Sequence, residues 1–115
     1  MNSKQIKDYS VGIEEEYMIC NTKTGNLTNK ASVIMNHFHK NERYSYELLE
    51  SEIEANTSVH INIRDAIIEL SKLRTNLAKL GKLKDFTLTE TEISSTMVRN
   101  TNNKYLEKID NIDNI

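Results

Sequence analysis

Apolar positions along this chain fall into patterns of different period. From Tyr9 to Cys20, Val11, Ile13, Tyr17, Met18, Ile19 and Cys20 gather over the length of a long strand. Asn21 to Asn26 closes it with turn chemistry at Thr24-Gly25-Asn26, where Gly25 is free to adopt positive φ. Ala31, Val33, Ile34, Met35 and Phe38 fit a short helix. Tyr44 to Thr57 reads as one or two short strands, with β-forming residues around Leu48-Leu49 and Ile53 and a break near Glu50-Ser51. The clearest periodicity follows: Ile63, Ala66, Ile67, Leu70, Leu73, Leu77 and Leu80 recur at three- and four-residue steps, one apolar stripe along roughly five helical turns. Asn62 suits the N-cap, Asp65 favours the first turn, Lys79, Lys82 and Lys84 favour the last, and Gly81 marks the exit.

Beyond Phe86 the chain turns rich in Thr, Asn and Ser and ends in an Ile-Asp-Asn repeat, so residues 86–115 read as a polar, poorly ordered tail in which Leu106, Ile109 and Ile112 give at most a helical turn or two. The organised part, residues 1–85, is strand, turn, short helix, acidic strands and long helix. That order defines an α+β layer with an open sheet edge.

Composition removes several classes of function. The 115 residues suffice for one domain. A net charge of −2 supplies no basic field for nucleic acid or an anionic membrane. Cys20 is the single cysteine, which excludes an intrachain disulfide and offers no zinc pattern. No signal-like or membrane-length apolar run occurs, so a reducing cytoplasm is the expected setting.

What charge does locally is more informative. Val11 to Cys20 contains Glu14, Glu15 and Glu16 in succession. Strand alternation sends Glu14 and Glu16 to one face and Glu15 to the other, with the first two about 7 Å apart. A solvated sheet face is the simpler account from spacing alone. A second acidic cluster changes the balance: Glu47, Glu50, Glu52 and Glu54 follow closely on one another, and Glu50, Glu52 and Glu54 share a face if their strand is regular. Two acidic strands side by side offer hard oxygen ligands suited to Mg²⁺ or Mn²⁺, ions that commonly complete their shells with water and nucleotide phosphates.

These residues carry a resemblance. Gly12-Ile13-Glu14-Glu15-Glu16, the Thr24-Gly25 turn, and Glu47, Ser51, Glu54 and Thr57 in an acid-x3-Ser-x2-Glu-x2-Thr spacing before a long helix resemble the amino-terminal segment of the carboxylate–amine ligases of the glutamate–cysteine ligase type 2 family. The resemblance runs from about Tyr9 to about Leu83. It implies the amino-terminal part of a glutamine-synthetase-like, bent antiparallel sheet, incomplete here. The implied reaction uses ATP to convert a carboxylate to an acyl phosphate, which an amino-acid amine then attacks. Metals are needed because a carboxylate attacking a triphosphate brings anions together. By the resemblance, Glu14, Glu16 and Glu54 bind metal, Glu47 binds metal or orients substrate, and Glu15 is the variable middle residue, pointing away.

The family continues past its long helix into a Gly-Thr-His-Pro stretch and a much longer chain, whereas Thr57 here precedes Ser58 and the sequence after the helix is unlike it. The expectation is a truncated or split ligase, inactive alone, with a complementing polypeptide or a homo-oligomer as partner. The alternative is a non-catalytic α+β module that binds a partner chain through its sheet edge and the apolar face of Ile63 to Leu80. Other residues read as structural: His37 and His39 lack a third ligand, His60 is surface or cap, Cys20 is a buried thiol, Tyr44 and Tyr46 pack as strand aromatics. Arg64, Lys72, Arg74, Lys79, Lys82 and Lys84 form a solvated helix face.

Overall fold

The structure is a computed structural model and describes residues 9–99 and 106–109. Seven elements follow in order: β1 (Tyr9–Asn21), α1 (Ala31–His37), β2 (Tyr44–Tyr46), β3 (Glu52–Asn56), α2 (Ile63–Lys84), β4 (Phe86–Arg99) and β5 (Leu106–Ile109). The strands form one antiparallel sheet in the order β2-β3-β1-β4-β5, so the first strand lies at its centre. The class is α+β, compatible with an incomplete glutamine-synthetase-like sheet.

β1 is central because its alternation is strict: Val11, Ile13, Glu15, Tyr17 and Ile19 are all buried on one face. α2 covers that face with Ala66, Leu70, Leu73, Leu77 and Leu80. Two apolar clusters result. One joins Val11 and Ile13 to Ala66 and Leu70, and the other joins Tyr17, Ile19, Ile34, Tyr44 and Ile53 to Leu73, Leu77, Leu80 and Phe86. Ala66, Leu70, Leu73, Leu77 and Leu80 of the α2 stripe are therefore packed against the chain's own sheet. Ile67, expected in the stripe, is 45% exposed.

Caps and turns follow the local chemistry. The Asn62 side chain accepts the Asp65 N–H at 2.9 Å, and Gly25 takes φ 75°. Gly81, however, is not the exit of α2. The helix runs on to Lys84 and ends at Asp85, which adopts the left-handed conformation (φ 58°) and donates its N–H to the Gly81 carbonyl. Gly81 is required for another reason: a Cβ there would sit 2.5 Å from the Phe86 carbonyl oxygen, where the chain turns back into β4.

The acidic strands separate as expected, but Leu48 and Leu49 lie between them in a turn, 97% and 55% exposed. Glu50 in that turn is not on the strand face. Its carboxylate accepts the Ser32 N–H and hydroxyl, and its carbonyl accepts the Ala31 N–H, supplying α1 with the cap that Lys30 cannot. Those bonds hold the Glu50 carboxyl below its ordinary range. Tyr44 packs in the core and donates to the Leu73 carbonyl at 2.9 Å, with burial pushing its hydroxyl up to about 12, whereas Tyr46 is exposed.

The largest departure lies beyond residue 85. Phe86–Arg99, expected to be loosely ordered, is a 14-residue strand paired with β1 along its length, broken only by a bulge that leaves Thr91 without a partner in the register opposite Glu16 and Tyr17. Leu106–Ile109 is likewise a strand rather than a helical turn. Alternate Thr residues in "TLTETEI" are strand formers, and composition alone hid that propensity. Residues 100–105 and 110–115, with most of the Ile-Asp-Asn repeat, lie outside the described residues.

Candidate metal centre

Two antiparallel pairings assemble an acidic surface on the face of β1 turned away from α2. Glu16 stands opposite Glu54 in the register with β3, Glu14 opposite Asn56, and Met18 opposite Glu52. Glu14 is exposed, while Glu16, Glu52 and Glu54 are half-buried. The turn after β2 brings in Glu47, so that carboxylate oxygens of Glu16, Glu47 and Glu52 lie within 4.8 Å of one another. Oxygens around one octahedral Mg²⁺ stand about 3–4 Å apart, so a small side-chain movement suffices for shared coordination.

The electrostatics of Glu54 report the same convergence. Burial first, then a hydrogen bond with Glu47 and the charges of Glu14, Glu47 and Glu16, push its carboxyl up to about 8. Among the described residues, no Lys or Arg forms a salt bridge with Glu14, Glu47, Glu52 or Glu54. The donor set, all carboxylate oxygen, fits a hard divalent cation. Glu14, Glu16, Glu47 and Glu54 thus share one neighbourhood. Glu52 enters it as well, although the resemblance did not single it out; its alternate position in Glu50-Ser51-Glu52-Ile53-Glu54 was the available signal.

Glu15 has the opposite environment. It is fully buried, accepts from Arg74 Nε at 2.6 Å, and takes a second bond from Arg74 Nη2 and a third from the Tyr17 hydroxyl. Arg74, expected on a solvated face, is instead the counter-ion of this carboxylate. The Glu15 hydrogen bond holds the guanidinium even more firmly protonated than usual, and burial together with Glu15 keeps the Tyr17 phenol protonated well above its ordinary range. Glu15 does point away from the acidic face, but it has work of its own between the two apolar clusters.

The remaining motif residues tie strands together. Thr57 is buried; its hydroxyl accepts the Ile13 N–H at 2.9 Å and its own N–H donates to the Ile13 carbonyl at 2.9 Å. Ser51, also buried, accepts the Ile19 N–H through its carbonyl at 2.7 Å. His60 bridges Val11 through its backbone, and its Nε2 lies 2.9 Å from Glu69, which also accepts from the Ser58 N–H and hydroxyl. Because one imidazole nitrogen meets both Ser58 and Glu69, this is a clip between loop and helix rather than a nucleophile relay. His39 turns its ring to the Asn36 carbonyl at 3.2 Å. No described helix is long and apolar enough to cross a membrane.

No protein-family model matches the chain. Two curated proteins named "Putative glutamate–cysteine ligase 2" are similar to it: one from Bradyrhizobium sp. strain ORS 278, 29% identical over 81 residues, and one from Bradyrhizobium sp. strain BTAi1, 30% identical over 81 residues. In each case the similarity covers 68% of this chain and 20% of the relative. The chain therefore spans about a fifth of the length of the curated relatives it matches. This supports a distant relationship to a glutamate–cysteine ligase.

Proposed function

We propose that this chain forms one wall of the active site of an ATP-dependent carboxylate–amine ligase, and that its acidic face holds Mg²⁺ or Mn²⁺ through Glu14, Glu16 and Glu54, with Glu47 and Glu52 as further oxygen donors. The observation that carries this reading is that carboxylate oxygens of Glu16, Glu47 and Glu52, from two strands and a turn, lie within 4.8 Å of one another on one face, with Glu54 opposite Glu16 in the register. In the complete enzyme ATP and two amino-acid substrates would meet the cation here, and the rest of the relatives' length would supply the nucleotide and amine pockets.

Bound metal would offset the negative charge that builds as a carboxylate attacks the terminal phosphate of ATP. The chain's own residues hold and orient it. Burial, a hydrogen bond with Glu47 and the neighbouring charges favour the protonated form of the Glu54 carboxyl; a bound cation would favour the ionised form, so binding would be accompanied by proton release. Glu15 and Arg74 fix the same strand from behind, so the spacing of Glu14 and Glu16 is set by buried structure.

Thermal melting of the purified chain with and without Mg²⁺ or Mn²⁺ tests the metal half of the proposal. A rise in melting temperature that disappears in Glu16→Gln/Glu54→Gln is expected. An unchanged wild-type melting temperature at saturating Mn²⁺ contradicts metal binding by this chain alone.

A further inference from the structure

The turn that carries Glu47, residues 47–51 between β2 and β3, is not held in place by its apolar side chains, since Leu48 and Leu49 are 97% and 55% exposed. Its fastening is polar. The Glu52 N–H donates to the Leu49 carbonyl at 3.1 Å, and the Ser51 carbonyl ties the end of the turn to Ile19 of β1. Toward α1, Glu50 makes three bonds: its Oε1 accepts the Ser32 N–H at 2.7 Å and the Ser32 hydroxyl, and its carbonyl accepts the Ala31 N–H at 2.9 Å. Ala31 is fully buried in the larger apolar cluster, so the far end of this clamp is fixed in the core.

We infer that Glu50 is a positioning residue for the cation site: by fastening the turn to the start of α1, it holds the Glu47 carboxylate within reach of Glu16 and Glu52. This role presupposes the metal reading above and adds to it a residue that itself touches no cation. Both Ser32 donors occupy Glu50 Oε1, and among the described residues the carboxylates that approach within 4.8 Å of one another are those of Glu16, Glu47 and Glu52. Glu16 and Glu52 are placed by strand pairing, whereas Glu47 lies outside any strand. A loose turn would have to be ordered when the cation binds, and a turn already tied down avoids that cost.

Mn²⁺ titrations of the purified chain, read from the free-ion electron paramagnetic resonance signal well below the melting temperature, test it. Glu50→Ala should weaken binding about tenfold, the lower end of the loss that follows removal of a partner orienting a metal ligand. Ser32→Ala, which removes one of the two side-chain contacts from the other side, should weaken it by less. Glu50→Gln keeps an acceptor oxygen for Ser32 and should recover most of the affinity lost in Glu50→Ala. In a Glu47→Gln background, Glu50→Ala should cost nothing further, because a residue that acts through Glu47 has nothing left to position. A Glu50→Ala chain that melts lower yet binds with full affinity while folded overturns the inference. So do a Glu50→Gln as weak as Glu50→Ala, and additive losses in the Glu47→Gln background. A wild type that binds no Mn²⁺ overturns the metal reading and this role together, whereas a binding wild type with an unaffected Glu50→Ala overturns this role alone.

Discussion

Glu15 and Glu16 are adjacent in the chain and opposite in circumstance. Glu15 lies under α2 with no exposed surface, and its charge is met by a guanidinium and a phenol. Glu16 lies on the outer face across from Glu54, within reach of Glu47 and Glu52. A strand can do this because its period is two, so consecutive residues answer to different neighbourhoods. Burial of a lone carboxylate is forbiddingly costly, so the inner site had to come with a counter-ion from α2. The outer face carries a concentration of like charge that favours a cation from solution.

Substitutions should separate the two faces. Removing Arg74 strands the Glu15 charge in the core, and Arg74→Ala is expected to cost about 3 kcal/mol of stability, seen as a lower urea midpoint, while leaving Mn²⁺ affinity per folded molecule unchanged. A smaller loss, about 1–3 kcal/mol, is expected for Gly81→Ala, because the new Cβ meets the Phe86 backbone and the clash outweighs the gain of about 1 kcal/mol in helix propensity. Thr57→Val keeps the shape but leaves the Ile13 N–H without its hydroxyl partner, for about 1–2 kcal/mol. The outer face should behave in the reverse sense, with Glu54→Gln neutral or slightly stabilising in the absence of metal.

The pH dependence sharpens the same contrast. Glu54 rises from an ordinary 4.5 to about 8 in the folded chain. The folded state therefore holds more protons than the unfolded one between those values, so this carboxyl makes stability fall as pH climbs from about 4.5 through about 8. Glu54→Gln should flatten that slope in urea titrations across the range. Saturating Mn²⁺ should flatten it as well, since the cation favours the ionised form. A slope unchanged in Glu54→Gln would place the like-charge strain elsewhere.

Much of this was legible in the sequence, for identifiable reasons. The strand from Tyr9, the Gly25 turn and the long helix capped by Asn62 were set by local period and capping chemistry. The placement of Glu14 and Glu16 on one face of β1, with Glu54 opposite Glu16 on β3, followed from alternation on two strands. Three features were not legible. The Glu15–Arg74 pair spans 59 residues, and nothing near Arg74 distinguishes it from the other bases on the helix. β4 was hidden because its Thr and Ser residues resemble a polar tail until β1 is seen to need a second neighbour. Gly81 resembled a helix stop because Gly near a C-terminus usually is one, yet here it admits the returning chain.

The most direct test of the contrast is a Mn²⁺ titration, followed by the loss of the free-ion electron paramagnetic resonance signal, on the wild type, Glu15→Gln and Glu16→Gln/Glu54→Gln. The wild type should bind Mn²⁺. Glu15→Gln should be less stable yet bind with the same affinity while folded, and the double variant should stay folded and lose binding. Equal binding by the double variant and the wild type, or loss of binding in folded Glu15→Gln alone, would contradict the assignment of the two faces.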